Sequence, residues 1–149
     1  MIKSRYVHTN IIARDWKCLA SFYEDVFDCE PVPPKRDLTG KLIDDLTNIE
    51  HAKIQGIHLT LPGYDEEGPL LEILQYNHPK KGIQAINRLG FAHIAFRVDD
   101  VESAKTEVLN AGGTAIGETV CLQIPQAGNV TVVYVTDPEG NIIELQRWS

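Results

Sequence analysis

Polar and apolar positions alternate at the start of the chain, where Tyr6-Val7-His8-Thr9-Asn10-Ile11-Ile12 reads as a strand with residues 6, 8, 10 and 12 on one face. The period then changes. Trp16, Leu19, Ala20, Tyr23, Val26 and Phe27 recur along one side of a helix, and Asp15 stands where a side chain caps the first turn. Phe91-Ala92-His93-Ile94-Ala95-Phe96-Arg97-Val98 alternates again and predicts a second strand of the same kind. Val101, Ala104, Val108 and Leu109 form the apolar stripe of the helix after it. Asp99 and Glu102 suit a capping box for that helix, and Gly112-Gly113 closes it.

The two openings are copies of one another. His8 precedes Asp15 by seven positions, and His93 precedes Asp100 by seven. The endings match too: Glu67-Gly68-Pro69-Leu70-Leu71-Glu72-Ile73-Leu74-Gln75 lies over Glu139-Gly140-Asn141-Ile142-Ile143-Glu144-Leu145-Gln146. Each is a glycine-bearing turn followed by an apolar strand holding one Glu. Further strands are predicted at 54–61 and 130–136, so each half reads strand, helix, then about three strands. The first half is longer, and its surplus falls mostly in 31–50, an insertion with Pro31, Pro33, Pro34 and Gly40. Leu38, Leu42, Ile43, Leu46 and Ile49 there have helical spacing and suit a small helix that either packs or covers a pocket. The expected organisation is one α+β domain over 1–149. Module one covers about 5–77, a linker with Pro79-Lys80-Lys81-Gly82 covers 78–89, and module two covers about 90–149. Each half is too small to stand alone, so the two are expected to pack as one open, barrel-like curved sheet.

Composition narrows the partners. The 149 residues carry 21 acidic and 14 basic side chains, a formal charge of −7, which disfavours nucleic acid and anionic membrane surfaces. No apolar run approaches the roughly 20 residues of a membrane helix. No apolar signal core follows Lys3 and Arg5, so the cytoplasm is the expected location. Cys18, Cys29 and Cys121 are widely spaced and read as reduced thiols.

The candidate chemistry lies in four residues at equivalent points of the repeat. Glu72 shares its strand face with Leu70, Leu74 and Tyr76, Glu144 with Ile142, and His93 with Phe91 and Ala95. A carboxylate among such neighbours is costly to bury unless its charge is compensated. One divalent cation held by His8, Glu72, His93 and Glu144 would compensate both carboxylates and take up the imidazole lone pairs. The simpler alternative is ion pairing, with Arg97 and Arg147 as partners. The donors are widely separated nitrogen and oxygen groups, unlike the local cysteine sets of structural zinc, and suit Zn, Ni, Co, Mn or Fe. His51, His58 and His78 read as ordinary structural or surface histidines, and Trp16 as core. Lys35-Arg36 and Lys80-Lys81 read as solvated surface before any anion site.

These segments resemble the vicinal-oxygen-chelate superfamily, the glyoxalase, bleomycin-resistance and extradiol-dioxygenase group. The carriers are Val7-His8-Thr9 before Phe22-Tyr23-Glu24-Asp25-Val26-Phe27, then Leu71-Glu72-Ile73, Phe91 to Val101, and Asp137-Pro138-Glu139-Gly140-Asn141-Ile142-Ile143-Glu144-Leu145. The resemblance implies a pair of βαβββ modules, often further dimerised, so a homodimer is expected. A Glu at position 72 is similar to the four-ligand pattern of glyoxalase I and methylmalonyl-CoA epimerase. It implies a lyase, isomerase or epimerase acting on a small molecule with vicinal oxygens, by proton transfer next to a carbonyl through a metal-chelated enediolate or enolate. By the same resemblance Glu144 is the first choice of catalytic base and Glu72 the second. No glutathione site is legible, which points away from glyoxalase I itself. Two alternatives are an Fe(II) extradiol-type dioxygenase, whose three-ligand pattern leaves out Glu72, and a metal-free drug-binding protein.

Overall fold

The computed structural model describes residues 1–65 and 67–149. The chain forms two compact units, Met1–Lys81 and Gly82–Ser149.

In unit 1, strand β1 (His8–Ile12) leads into helix α1 (Trp16–Phe27). Asp15 caps the helix by accepting the amides of Lys17 and Cys18 at 3.1 and 3.2 Å, and the Cys18 contacts hold its carboxyl below the usual carboxylate value. Strands β2 (Pro31–Thr39), β3 (Lys53–Thr60) and β4 (Leu70–Tyr76) complete an open four-stranded sheet in the order β1-β4-β3-β2. The β1–β4 pair is parallel, and the other pairs are antiparallel. Trp16, Leu19, Ala20, Phe22, Tyr23 and Phe27 are buried, as are Ile57, Leu59, Leu71 and Ile73 on the two strands that α1 covers. Because side chains alternate across a strand, this packing sends Glu72 to the face of β4 that α1 does not cover.

The proline-rich segment corrects the expectation of an insertion over 31–50. Its first part is β2 itself, the outer strand, and only Gly40 to Ala52, with the short helix α2 (Lys41–Thr47), is additional. Pairing of β2 with β3 breaks between Val32 and Arg36, and the cis Pro33-Pro34 pair falls in that break. Pro33 and Pro34 therefore remove no ladder hydrogen bond where they stand, and Pro31, in register with Leu59, is the first residue of the strand. Leu42 and Leu46 of α2 are exposed, and Lys35 lies with its ammonium 5.7 Å over the Trp16 ring.

Unit 2 repeats the plan. Strand β5 (His93–Arg97) pairs in parallel with β9 (Ile142–Trp148), and β9 pairs antiparallel with β8 (Gly128–Thr136). Two short strands, β6 (Thr114–Ala115) and β7 (Val120–Ile124), both pair with β8 and together take the part of β2, interrupted at the corresponding point. Helix α3 (Val101–Asn110) buries Val101 and Val108 and packs on β8 and β9. Its cap is Asp100, whose carboxylate accepts the Ser103 amide at 2.7 Å, rather than Asp99. The seven-residue interval that places Asp15 after His8 thus places Asp100 after His93, one position beyond the predicted capping box.

Among the described residues no helix is long and apolar enough to cross a membrane.

Candidate metal centre

Each half ends in a turn that aims its Glu-bearing strand. In unit 2 the buried Asp137 accepts the amides of Glu139 and Asn141, both at 2.9 Å, and the side-chain amide of Asn141 at 2.8 Å. Gly140, at φ +88°, turns the chain into β9. In unit 1 Asp65 holds the corresponding place, accepting the Glu67 amide with its side chain and the Gly68 amide with its carbonyl. Strand registers are then the same in both units. Asn10 stands beside Glu72 and Ala95 beside Glu144 on the parallel neighbours; His58 and Tyr134 stand opposite the two glutamates on the antiparallel ones.

These registers bring together the predicted residues of each half. His8 Nε2 lies 3.2 Å from Glu72 Oε2, and His93 Nε2 lies 3.2 Å from Glu144 Oε2. The glutamate side chains are only 16% and 17% exposed. Neither carboxylate pairs with arginine among the described residues, so the arginine ion pairs weighed from sequence are not formed. Tyr134 sets its phenol against Glu144 across the β8–β9 pair. Burial first, and then that carboxylate, raise the phenol above its ordinary value.

Sequence reasoning missed His58, which it took as structural. His58 Nε2 lies 3.4 Å from Glu72 Oε1, and its ring stands edge-on to His8 at 5.5 Å. One donor atom each from His8, His58 and Glu72 lies within 4.8 Å of the others. Burial holds the His58 imidazole below its ordinary pKa against the pull of Glu72, with Arg36 and His8 adding to the lowering. The ring is therefore neutral near pH 7, the form with a lone pair to donate. Bond lengths of about 2.0–2.2 Å to a common cation put neighbouring donors roughly 3.0–3.5 Å apart. The 3.2 and 3.4 Å separations fit that requirement, and the imidazole and carboxylate donors suit a borderline divalent ion. The clue to His58 was available in sequence only to a reader who centred the β3–β4 hairpin on Asp65, because that centring sets His58 against Glu72.

The sequence matches the Glyoxalase/Bleomycin resistance protein/Dioxygenase superfamily over residues 5–145. The chain belongs to that superfamily. No curated protein gives a match. Solved structures of superfamily proteins share the fold. A glyoxalase family protein from Bacillus cereus is similar over 99% of this chain and 95% of its own, with a TM-score of 0.73 and 17% identity. A Burkholderia phytofirmans glyoxalase/bleomycin resistance protein/dioxygenase family enzyme covers 95% and is covered over 97%, at TM-score 0.60 and 16% identity. The fosfomycin resistance protein FosX of Listeria monocytogenes, an E126Q mutant solved with Mn(II) and 1S,2S-dihydroxypropylphosphonic acid, is similar over 97% of this chain and 92% of its own. Its TM-score is 0.59 and its identity 17%. The superfamily includes metal-dependent enzymes, and the histidine–glutamate cluster of unit 1 brings together donor groups of the kind that hold a divalent cation.

Proposed function

We propose that the chain is a divalent-metal-dependent lyase, isomerase or epimerase that moves a proton at a carbon next to a carbonyl. In this reading His8, Glu72, His93 and Glu144 hold one cation, two donors from each repeat. The observation that carries it is the half of the set in unit 1, where a largely buried carboxylate lies against imidazole nitrogen with no Lys or Arg paired to it among the described residues. When bound, the cation supplies Lewis acidity that stabilises negative charge developing on a substrate oxygen. Glu144 takes the proton from carbon and returns it, and Glu72 is the second candidate for that role. His8 and His93 stay in place as imidazole donors. The Tyr134 hydroxyl orients the Glu144 carboxylate from the neighbouring strand.

The substrate class follows as a small molecule with two neighbouring oxygens. The dihydroxypropylphosphonic acid bound by FosX carries its two hydroxyls on adjacent carbons, which supports the class without naming the compound. The reading further takes the protein as a cytoplasmic homodimer that binds neither nucleic acid nor membrane. Sedimentation at micromolar concentration checks the dimer.

Elemental analysis of protein purified without chelator tests the metal, on the wild type and on Glu72→Ala. About one divalent ion per chain, lost or weakened in the variant, is the expected result. Absence of stoichiometric metal in the wild type overturns the reading and favours a metal-free binding protein. Small 2-oxo acids, 2-hydroxyaldehyde adducts and acyl thioesters, assayed for exchange of the carbon-bound proton, then test the reaction.

One observation favours a second reading, an Fe(II) dioxygenase. Two imidazoles and one carboxylate in unit 1 are the donor types that non-haem Fe(II) oxygenases use. Oxygen uptake with a catechol after anaerobic loading with Fe(II) separates this reading from the first.

A further inference from the structure

His58 stands directly opposite Glu72 on β3, and its equivalent in unit 2, opposite Glu144 on β8, is Tyr134. The repeat that matches His8 with His93 and Glu72 with Glu144 therefore breaks at this one position of the cluster. We propose that His58 ligates the cation directly, beside His8 and Glu72, so that unit 1 supplies three donors. The proposal rests on the metal-dependent reading above and adds to it a residue outside the four-ligand set.

Three observations carry it. The first is position: His58 Nε2 and His8 Nε2 approach different oxygens of the same carboxylate, at 3.4 and 3.2 Å, as donors around a shared ion would. The second is burial. The His58 side chain is 11% exposed, and its Nδ1 is buried with no hydrogen-bond partner among the described residues. A histidine kept to hold the fold together ordinarily satisfies both ring nitrogens, and an orphaned buried nitrogen requires another reason for the residue to stand there. The third is the asymmetry of the repeat, since a purely structural demand of the β3–β4 pairing would fall equally on β8 and β9, where a tyrosine meets it.

The extra donor has a consequence for the division of labour. With His8, His58 and Glu72 as donors, the ion would be held without Glu144, which would then be free to serve as a base. Metal retention is thereby assigned mainly to unit 1, and proton movement to unit 2.

The test is Co(II) binding by the full chain, read by affinity and by the visible d–d spectrum, in wild type, His58→Gln and His58→Phe. Gln could donate a hydrogen bond to Glu72 but is a poor ligand, so it separates ligation from simple support. Expected are about one Co(II) per wild-type chain, affinity lower by roughly a hundredfold or more in both variants, and a changed spectrum that Gln does not restore. That loss is at or above the roughly 10–100-fold expected for a residue that only orients a ligand. Wild-type affinity and spectrum in His58→Gln overturn the proposal while leaving the metal-dependent reading standing. Failure of the wild type to bind Co(II), Zn(II), Mn(II) or Ni(II) overturns both. Circular dichroism of each metal-free variant confirms that any loss of binding is not loss of fold.

Discussion

His58 and Tyr134 hold the same register position in the two repeats, each opposite a half-buried glutamate, and they treat that glutamate differently. His58 presents a ring nitrogen to a carboxylate that already faces His8, whereas Tyr134 presents a phenol hydroxyl to Glu144. An imidazole lone pair and a carboxylate together attract a cation. A phenol hydrogen bond aims a carboxylate and leaves it free to accept a proton. The duplicated frame thus carries two differently equipped halves.

Glu144→Gln tests that division. The amide keeps the shape of the side chain and can still accept the Tyr134 hydroxyl, but it cannot take a proton. Turnover is expected to fall by about 100-fold or more, the usual order for removal of a general base. Metal content, measured on the same preparation, is expected to fall far less. Parallel loss of both would make Glu144 a ligand and nothing more.

Cys29 gives a check on the core of unit 1. Burial, with Asp28 and Glu24 adding repulsion, pushes its thiol up to about 12, so almost no thiolate forms at pH 8. Cys18 and Cys121 are exposed. Native alkylation with iodoacetamide at pH 8 is therefore expected to label those two and spare Cys29, which mass spectrometry of the peptides reads directly. Modification of Cys29 at the rate found in urea would mean that α1 does not seal against the sheet.

Much of this arrangement was legible because it is periodic. Alternation exposed β1 and β5, the helical stripe exposed Trp16 to Phe27, and the recurrence of His, Asp and Glu intervals exposed the duplication. What stayed hidden depends on pairing across the sheet. Pro31, Pro33 and Pro34 argue against a strand by propensity, yet β2 is an outer strand that begins at Pro31 and whose break in pairing absorbs Pro33 and Pro34. His58 carries no local mark of function, because its partner Glu72 is brought to it by the β3–β4 hairpin. The Asp100 cap shows a milder form of the same effect. Asp99 and Glu102 offer the sequence motif, but the strand before α3 ends so that the next residue has the capping geometry.

Asp137 tests whether the turn before β9 positions Glu144. Its side chain is buried and accepts three N–H groups at 2.8–2.9 Å. Asp137→Ala leaves those donors short of partners, at a cost of about 3 kcal/mol in unfolding free energy. Asp137→Asn, which retains an acceptor oxygen, is expected to cost less than half as much. Urea denaturation gives both values, and equal destabilisation by the two variants would show that charge rather than hydrogen bonding holds the turn.

Gly56 tests the pairing on which the unit 1 cluster depends. It crosses β4 opposite Leu74, two residues before His58, and a Cβ built there would lie 2.0 Å from the Ile73 carbonyl oxygen and 2.9 Å from the Leu74 Cα. Both obstacles are backbone, so no side-chain rotation relieves them and the strands must separate. Gly56→Ala is therefore expected to lower stability by about 1–3 kcal/mol, the usual range for overpacking, even though alanine is otherwise the better residue for a folded chain. Separation of β3 from β4 also draws His58 away from Glu72, so affinity for Co(II) should drop along with stability. Gln55→Ala, at the exposed neighbouring position, is the control and should change neither. A stable Gly56→Ala protein with unchanged metal affinity would mean that the β3–β4 contact is looser than described and does not set the geometry of the cluster.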